Sequence, residues 1–413
     1  MASEIIAQLP ESLTVRRSCL SCLVCFALCL WVSAGGRAQT VDARFDHITV
    51  SDGLLNPSVL DMVQDDNGFI WIGTVAGIFR YDGRQMVSYL PCADHPDSLP
   101  AREVPTLHKS KNGDIWLGNV HQKAKLYRYD PAADRFVPFL YQSGGTAPII
   151  EGEVMAITDD SAGNLWVAAD GQGLFRIHPQ TGDYTLYAQD TASPDALPSH
   201  HFGNALVEGP YGRIWIPNDG GLSCFLPEEE RFETYSLSSG GQSGPAPCTT
   251  VFPGRSGHLW ASVPGEGLVE FDPEARQLLR AFRHEPGRPD GLSGNYIFAI
   301  NQDLDGRLWL GYPNKLDVLD PHSGHTLHLN DAGSENWKVV SERYNVLHLH
   351  LFSGGNGWAA THSSGLRALD TRNSRLAPLQ LPGQNQGHLA QGLLEDRLGK
   401  VWVFTEKGLV QYD

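Results

Sequence analysis

Fourteen side chains scattered along this sequence carry the chemistry of polar-ligand recognition: Asn56, Arg102, Glu103, His121, Glu153, Asp170, His201, Asn204, Asp219, Asn295, Tyr296, Arg343, Tyr344 and His362. Arginine and histidine donate to ligand oxygens, carboxylates and amides accept from hydroxyls, and tyrosine offers both a ring and a hydroxyl. Trp337, between Asn336 and Lys338, adds an aromatic on a polar connection, placed either to stack on a sugar face or to fold back over a blade edge. The candidate ligand-binding set drawn from these is Arg102, His121, His201, Asn204, Tyr296, Trp337, Arg343, Tyr344 and His362. Signatures of catalysis do not accompany them. The sequence has no His-Glu-x-x-His, no Gly-x-Ser-x-Gly, no glycine-rich phosphate loop, and no Cys-x-x-Cys beyond the N-terminal apolar segment. No catalytic residue, cofactor or metal is therefore expected. His322, His325 and His328 are close in sequence, but Asp320 is the only further ligand type in spacing, which is thin for a metal centre.

The elements that must position these residues come from a repeat. Gly-x-x-Trp occurs at Gly68 to Trp71, Gly113 to Trp116, Gly163 to Trp166, Gly212 to Trp215, Gly257 to Trp260, Gly306 to Trp309, Gly355 to Trp358 and Gly399 to Trp402. Successive tryptophans are 45, 50, 49, 45, 49, 49 and 44 residues apart, close to the period of a four-stranded propeller blade. In the first copy, Val59 to Val63, Phe69 to Gly73, Ile78 to Asp82 and Met86 to Leu90 read as strands A to D, separated by Gly, Asp and Asn turns. Helical spacing of apolar residues is absent beyond residue 40, so the fold class is all-β. One blade cannot cover both its faces, and the B-strand tryptophan is expected to fill the seam between blades. All eight are assigned as structural. The acidic turns before them, such as Asp65 to Gly68, Asp159 to Gly163 and Asp303 to Gly306, have a calcium-loop look without the distal glutamate or flanking helices. Aspartate capping its own turn explains them better.

In a propeller the connections between blades and the B-to-C turns converge on one mouth of the central channel. The fourteen side chains above fall on those segments. The outer strand of the last blade is the open question. Phe45 to Val50 resembles a fourth, outermost strand, and the eighth copy ends after three, so the N-terminal strand would complete an eight-bladed ring. The alternative is a seven-bladed ring closed by the same N-terminal strand, with residues from about Leu376 onward beginning a second propeller.

Acidic residues exceed basic ones by 47 − 31 = 16, and no basic tract follows the N-terminal segment, which argues against nucleic acid as a partner. Residues 1 to 38 read as a signal peptide: Arg16 and Arg17 precede an apolar run from Cys19 to Ala34, and Gly36 and Ala38 are the small residues a signal peptidase requires. The run of about 16 residues is short of the ~20 that span a bilayer. Cleavage after Ala38 would leave residues 39 to 413 as a periplasmic or secreted β-propeller sensor domain. Four of the seven cysteines leave with the signal; Cys92, Cys224 and Cys248 remain and are expected to be buried thiols.

Ser51-Asp52-Gly53-Leu54, the stretch from Gln64 to Thr74 around Gly68-Phe69-Ile70-Trp71, and Gly77 to Gly83 together resemble the two-component regulator propeller family. The resemblance is tightest in the first copy and loosest in the seventh. It implies the ligand-sensing, periplasmic half of a membrane-bound sensor, with a histidine kinase or diguanylate cyclase as output and a small polar ligand such as an oligosaccharide as input. Family members carry about fourteen copies and a membrane span; this chain has eight copies and no such span after them, so a fragment or a stand-alone module is expected. A protein-interaction scaffold is the second reading. A propeller glycosidase or lyase is the third, for which Arg102, Arg343 and Tyr344 are the candidates a sialidase-type reaction would need.

Overall fold

The computed structural model describes residues 59–90, 99, 104, 106–118, 126–139, 150–203, 205–238, 246–312, 316–328, 392–403 and 409–412 with their side chains, and Leu329 as strand backbone. It describes the strand backbone alone at 45–48, 348–351, 356–361, 365–370, 375–378, 390–391, 404–405 and 408. The propeller unit runs from Phe45 to Asp413; the expected signal peptide lies outside the described residues.

All described strands belong to eight four-stranded antiparallel sheets, in each of which the strands lie side by side in the order A, B, C, D. The first blade is Val59–Gln64, Ile70–Thr74, Gly77–Tyr81 and Met86–Tyr89; the second is Thr106–Lys109, Ile115–Gly118, Tyr127–Asp130 and Arg135–Pro138. The third is Glu153–Asp159, Leu165–Asp170, Gly173–Ile177 and Tyr184–Tyr187; the fourth is Val207–Glu208, Ile214–Asn218, Gly221–Leu226 and Arg231–Tyr235. The fifth is Thr250–Pro253, Leu259–Val263, Gly267–Asp272 and Gln277–Phe282; the sixth is Ala299–Gln302, Leu308–Gly311, Leu316–Leu319 and Thr326–Leu329. The seventh is His348–Leu351, Asn356–Thr361, Gly365–Asp370 and Arg375–Pro378. In the eighth sheet Ala390–Glu395, Val401–Thr405 and Gly408–Tyr412 are joined by Phe45–Ile48, paired as Phe45 with Tyr412 and Ile48 with Leu409. The N-terminal strand thus pairs with the eighth copy and not with the seventh. Strand boundaries sit one residue from the sequence reading, which started the first B strand at Phe69 and the C strand at Ile78.

The tryptophans hold the seams. Trp71, Trp116, Trp166, Trp215, Trp260, Trp309 and Trp402 are all at most 2% exposed; the Trp358 side chain lies outside the described residues. Trp71, Trp116, Trp166, Trp215, Trp260 and Trp402 each pack onto the following blade. Trp71 meets Leu107, Ile115, Tyr127 and Phe136; Trp166 meets Ile214, Phe225 and Phe232; Trp402 meets Val59, Ile72 and Phe79 of the first blade.

In four blades the turn before the tryptophan is built around a carboxylate. Asp65 Oδ1 accepts the backbone N–H of Asn67 at 2.9 Å and of Phe69 at 3.0 Å, while Oδ2 accepts the Trp71 indole N–H at 2.8 Å. Asp160, Asp303 and Asp396 hold Trp166, Trp309 and Trp402 in the same way, at 2.8, 3.0 and 2.9 Å. Capping therefore extends to the buried indole, which would otherwise lose its water without replacement. The repeat glycine follows from the same turn: Gly68, Gly163, Gly306 and Gly399 have φ between 77° and 90°, a region costly for any residue with a Cβ.

A second rule ties blades together. The backbone N–H one residue past the capping position donates to the side chain ending the next blade's A strand: Lys111 to Asp159 (2.9 Å), Ser161 to Glu208 (2.6 Å) and Arg255 to Gln302 (2.7 Å). Arg397 of the eighth sheet makes the same bond to Gln64 of the first at 2.8 Å, and its guanidinium adds Asp66.

Candidate functional site

The sequence reading placed ligand chemistry where B-to-C turns meet the connections between blades. The best-described part of that face is the connection between the third and fourth blades. Gly171 N–H, in the B-to-C turn of the third blade, donates to His200 O at 3.1 Å, and Asp219 N–H in the fourth blade's turn donates to His201 O at 3.2 Å. Gly203 N–H also reaches Pro217 O at 2.8 Å. The chain is thus fixed from both sides, and the His201 side chain, 56% exposed, is presented outward.

His201 Nδ1 lies 3.2 Å from Asp170 Oδ1, and that oxygen also takes the Phe202 N–H at 3.3 Å. The His200 ring stands edge-on to His201 at 4.7 Å. Asp170 is opposite Glu153 in the A–B register, which places a second carboxylate at the same end of the blade. This patch brings together three of the sequence-selected residues, Glu153, Asp170 and His201, with Asp219 joined through the backbone. It offers paired donors and acceptors to a polyhydroxylated molecule and no positioned nucleophile.

Tyr296 is on another connection, between the fifth and sixth blades. It is 46% exposed and packs on Phe298 at 4.9 Å, while its neighbour Asn295 accepts the His284 N–H at 2.7 Å. Arg102, His121, Asn204, Trp337, Arg343, Tyr344 and His362 lie outside the described residues. Among the described residues, the rim histidines included, no group of three potential metal ligands has the needed proximity. His328 turns instead to Asp317. Cys224 and Cys248 are buried and unpaired, and burial pushes each thiol up to about 12.

Two polar features escaped the sequence reading. Asp61, on the innermost strand of the first blade, accepts the Leu107 N–H of the second blade and its own neighbour's N–H at Met62, both at 2.8 Å. Burial pushes its carboxyl up to about 7, against the lowering pull of these two donors. The second is a buried Ser–His–Asp cluster in the sixth blade. Asp317, fully buried, takes the Ser293 N–H at 2.7 Å, the Ser293 hydroxyl at 2.6 Å and His328 Nδ1 at 2.8 Å. His328 Nε2 faces the Pro289 carbonyl at 3.0 Å. An acyl-transfer triad needs one imidazole nitrogen on the acid and the other on the serine. Here serine and acid share Nδ1, and Nε2 is closed off by a carbonyl. The cluster ties the connection to its blade. Tyr312 is buried beside it, its phenol held well above its ordinary value by burial and then by the Asp317 carboxylate.

A repeat alignment carries the signal for Asp317. The residue paired with the position after the tryptophan is Phe79, Tyr127, Phe175, Val269 and Val410 in the first, second, third, fifth and eighth blades, Ser223 in the fourth, Arg367 in the seventh and Asp317 in the sixth. Asp317 is the one carboxylate at a position that five of the blades fill with an apolar or aromatic group.

Four-stranded antiparallel blades sealed by tryptophans define a β-propeller. Its first repeat carries a more specific signature: the two component regulator propeller model matches residues 53–76. Over 94 residues, 23% of this chain, the sequence is 31% identical to histidine kinase P4 of Formosa agariphila, of whose length the match covers 7%. Among solved structures, the chain is similar to the extracellular domain of a putative hybrid two component system from B. thetaiotaomicron. The TM-score is 0.56 at 20% identity, covering 90% of this chain and 53% of that one. The computationally designed Ika8 protein matches with a TM-score of 0.58 at 15% identity over 86% of this chain and 96% of its own. These likenesses establish the propeller fold, and the chain spans about half the length of the bacterial extracellular domain. Among the described residues no helix is long and apolar enough to cross a membrane.

Proposed function

We propose that residues 39–413 form an exported, eight-bladed sensor propeller of a two-component-type signalling system, which binds a small polar ligand such as an oligosaccharide and passes the signal to a membrane histidine kinase or diguanylate cyclase. The observation that carries this reading is the regulator-propeller signature at residues 53–76 on a fold shared with the extracellular domain of a two component system. Three features support the ring of eight: the sheet that unites Phe45–Ile48 with the eighth copy, the packing of Trp402 on the first blade, and the Arg397 bond to Gln64.

The ligand is assigned to the face where connections meet the B-to-C turns. His201 and Tyr296 are its described members, with Arg102, His121, Asn204, Trp337, Arg343, Tyr344 and His362 as the rest. The role is recognition rather than catalysis, since the Ser–His–Asp cluster among the described residues has its histidine committed to a backbone carbonyl. A thermal-shift screen of glycans tests the proposal. A ligand at 100 times its dissociation constant stabilises the fold by about 2.7 kcal/mol. His201→Ala should remove that shift and His322→Ala, on the outer C-to-D turn, should leave it intact. Loss of the shift in His322→Ala with retention in His201→Ala would reject this face.

A further inference from the structure

The outer edges of neighbouring blades are joined by a recurring latch whose key residue stands in the C-to-D turn, three positions after the turn's proline. Asp134 and Glu230 occupy it in the second and fourth blades, with φ of 47° and 55°. Each returns a carboxylate to an arginine of the preceding blade: Asp134 to Arg80 at 3.0 Å and Glu230 to Arg176 at 2.9 Å. In the fifth blade the polarity is reversed, and Arg276 (φ 56°) reaches back to Glu233 at 2.8 Å.

In the sixth blade this position is Gly324, φ 72°, with no side chain to return. A cleft of about 490 Å³ opens there, lined by Leu278, Arg280, Phe282, Arg283, Arg288 and Thr326 among others, within the size range of small-ligand sites. Arg280 still reaches across to the sixth blade, but finds only the Pro321 carbonyl of the turn, with Nε on Glu270. Arg283 holds Glu266. The carboxylates behind these two arginines are 7% and 11% exposed while the guanidinium side chains are 40% and 37% exposed, so the cleft presents the cationic ends. Arg288 adds a third, in exposed pairs with Asp290 and Glu285. Thr326 is 2% exposed; its N–H is taken by Asp290 O at 2.9 Å, yet its hydroxyl, buried in the cleft wall, has no partner. A buried hydroxyl left unpaired costs about 1–3 kcal/mol, which a ligand acceptor would relieve.

From these observations we infer that the cleft between the fifth and sixth blades binds a small organic anion. Its carboxylate or sulfate takes the place of the acid that Asp134 and Glu230 supply elsewhere, accepting from the arginines and from Thr326, while its body rests on Leu278 and Phe282. The site is separate from the face described above, and its test is separate. Titration calorimetry on the whole chain would use D-glucuronate, D-glucose and sodium sulfate, on the wild type and on Thr326→Val and Arg288→Ala. Thr326→Val removes a hydroxyl that bonds nothing, so its melting temperature should stay at the wild-type value.

Glucuronate or sulfate should bind with a dissociation constant under about 10 mM, weakened at least tenfold in both variants, and glucose should not bind. Binding by sulfate as well as glucuronate means that the anionic group alone is read; binding by glucuronate alone means that the ring is read too. The inference is overturned if neither anion binds, if glucose binds equally well, or if either variant binds like the wild type.

Discussion

The carboxylate that holds a tryptophan in some blades and is missing in others makes opposite-signed predictions at equivalent positions. Asp160 holds the Asn164 N–H at 2.8 Å, the Asn164 amide at 2.9 Å and the Trp166 indole at 2.8 Å. Asp160→Ala removes all three. The two Asn164 groups can turn to water, but the indole is only 1% exposed and is stranded. Bonds to a charged acceptor contribute about 1.5–3 kcal/mol each, and a buried donor without a partner costs about 1–3 kcal/mol. Relief of the carboxylate's own desolvation offsets part of this, leaving a net loss of roughly 3–4 kcal/mol. With an unfolding entropy of about 2.1 cal/mol/K per residue over roughly 370 residues, each kcal/mol moves the midpoint by about 1.3 °C, so Tm should fall by about 4–5 °C.

The same position in the second blade is Ser110, whose hydroxyl is buried without a partner, as is the Trp116 indole nitrogen. Ser110→Asp gives that indole an acceptor and should raise stability by about 1 kcal/mol, less than a full charged bond because the new carboxylate is desolvated. In the fourth blade the position is Gly209, and a Cβ there would stand 2.5 Å from Trp215 Nε1. Gly209→Asp should therefore destabilise. Scanning calorimetry of the three variants gives a pattern of loss, gain and loss; Asp160→Ala within about 0.5 kcal/mol of wild type would refute the account of the turn.

Trp166→Ala should cost about 3–5 kcal/mol by emptying the seam against Ile214, Phe225 and Phe232, as chemical denaturation would report. Asp61 sets a pH dependence: its carboxyl titrates near 7 in the folded chain and near 3.8 when unfolded, so between those values the native state holds the extra proton. Stability should fall as pH rises from about 4 to 7 and level off above, and Asp61→Asn should flatten that slope; an unchanged slope in urea titrations at pH 5, 6 and 8 would contradict it. Intact-mass measurement of exported protein should show Gln39 as the first residue.

The fold was legible in the sequence because its determinants are local and repeated eight times. Gly68 and its counterparts mark the turn by a positive φ, and Trp71 and its counterparts mark the seam, so period alone gives blade, strand order and core. That Phe45–Ile48 is an outer strand could be read from its pattern, but not which copy it joins, since a ring of seven and a ring of eight would each take it. What could not be read is where non-local side chains end up. His201 was selected for its connection, and only the structure places it on Asp170, 31 residues away. Asp61 has the appearance of an ordinary polar residue in a strand, and its environment is made by a backbone group 46 residues on.

In a repeat protein each blade is also a control for the others. A buried acid in a single-copy fold can be explained away by its neighbours, but Asp317 stands where Phe79, Phe175 and Val269 stand, in the same pairing register. Packing filled that position with an apolar group in those three blades, while the fourth carries Ser223 there and the seventh Arg367, so Asp317 is the one carboxylate in the series. The same comparison isolates Gly324 from Asp134 and Glu230 at a turn whose backbone conformation hardly changes. Both departures fall on the sixth blade, and both concern the connection from residue 283 to 298. One fastens it through Ser293 and His328; the other leaves a cleft beneath it. Gly182 takes the corresponding place in the third blade with φ 77°, so glycine alone does not make a site. What separates the sixth blade is the company: three arginines line the space that the missing side chain leaves, with Glu285 beside Arg288, and an unpaired buried hydroxyl belongs to a residue of its wall, a combination that calls for an anion.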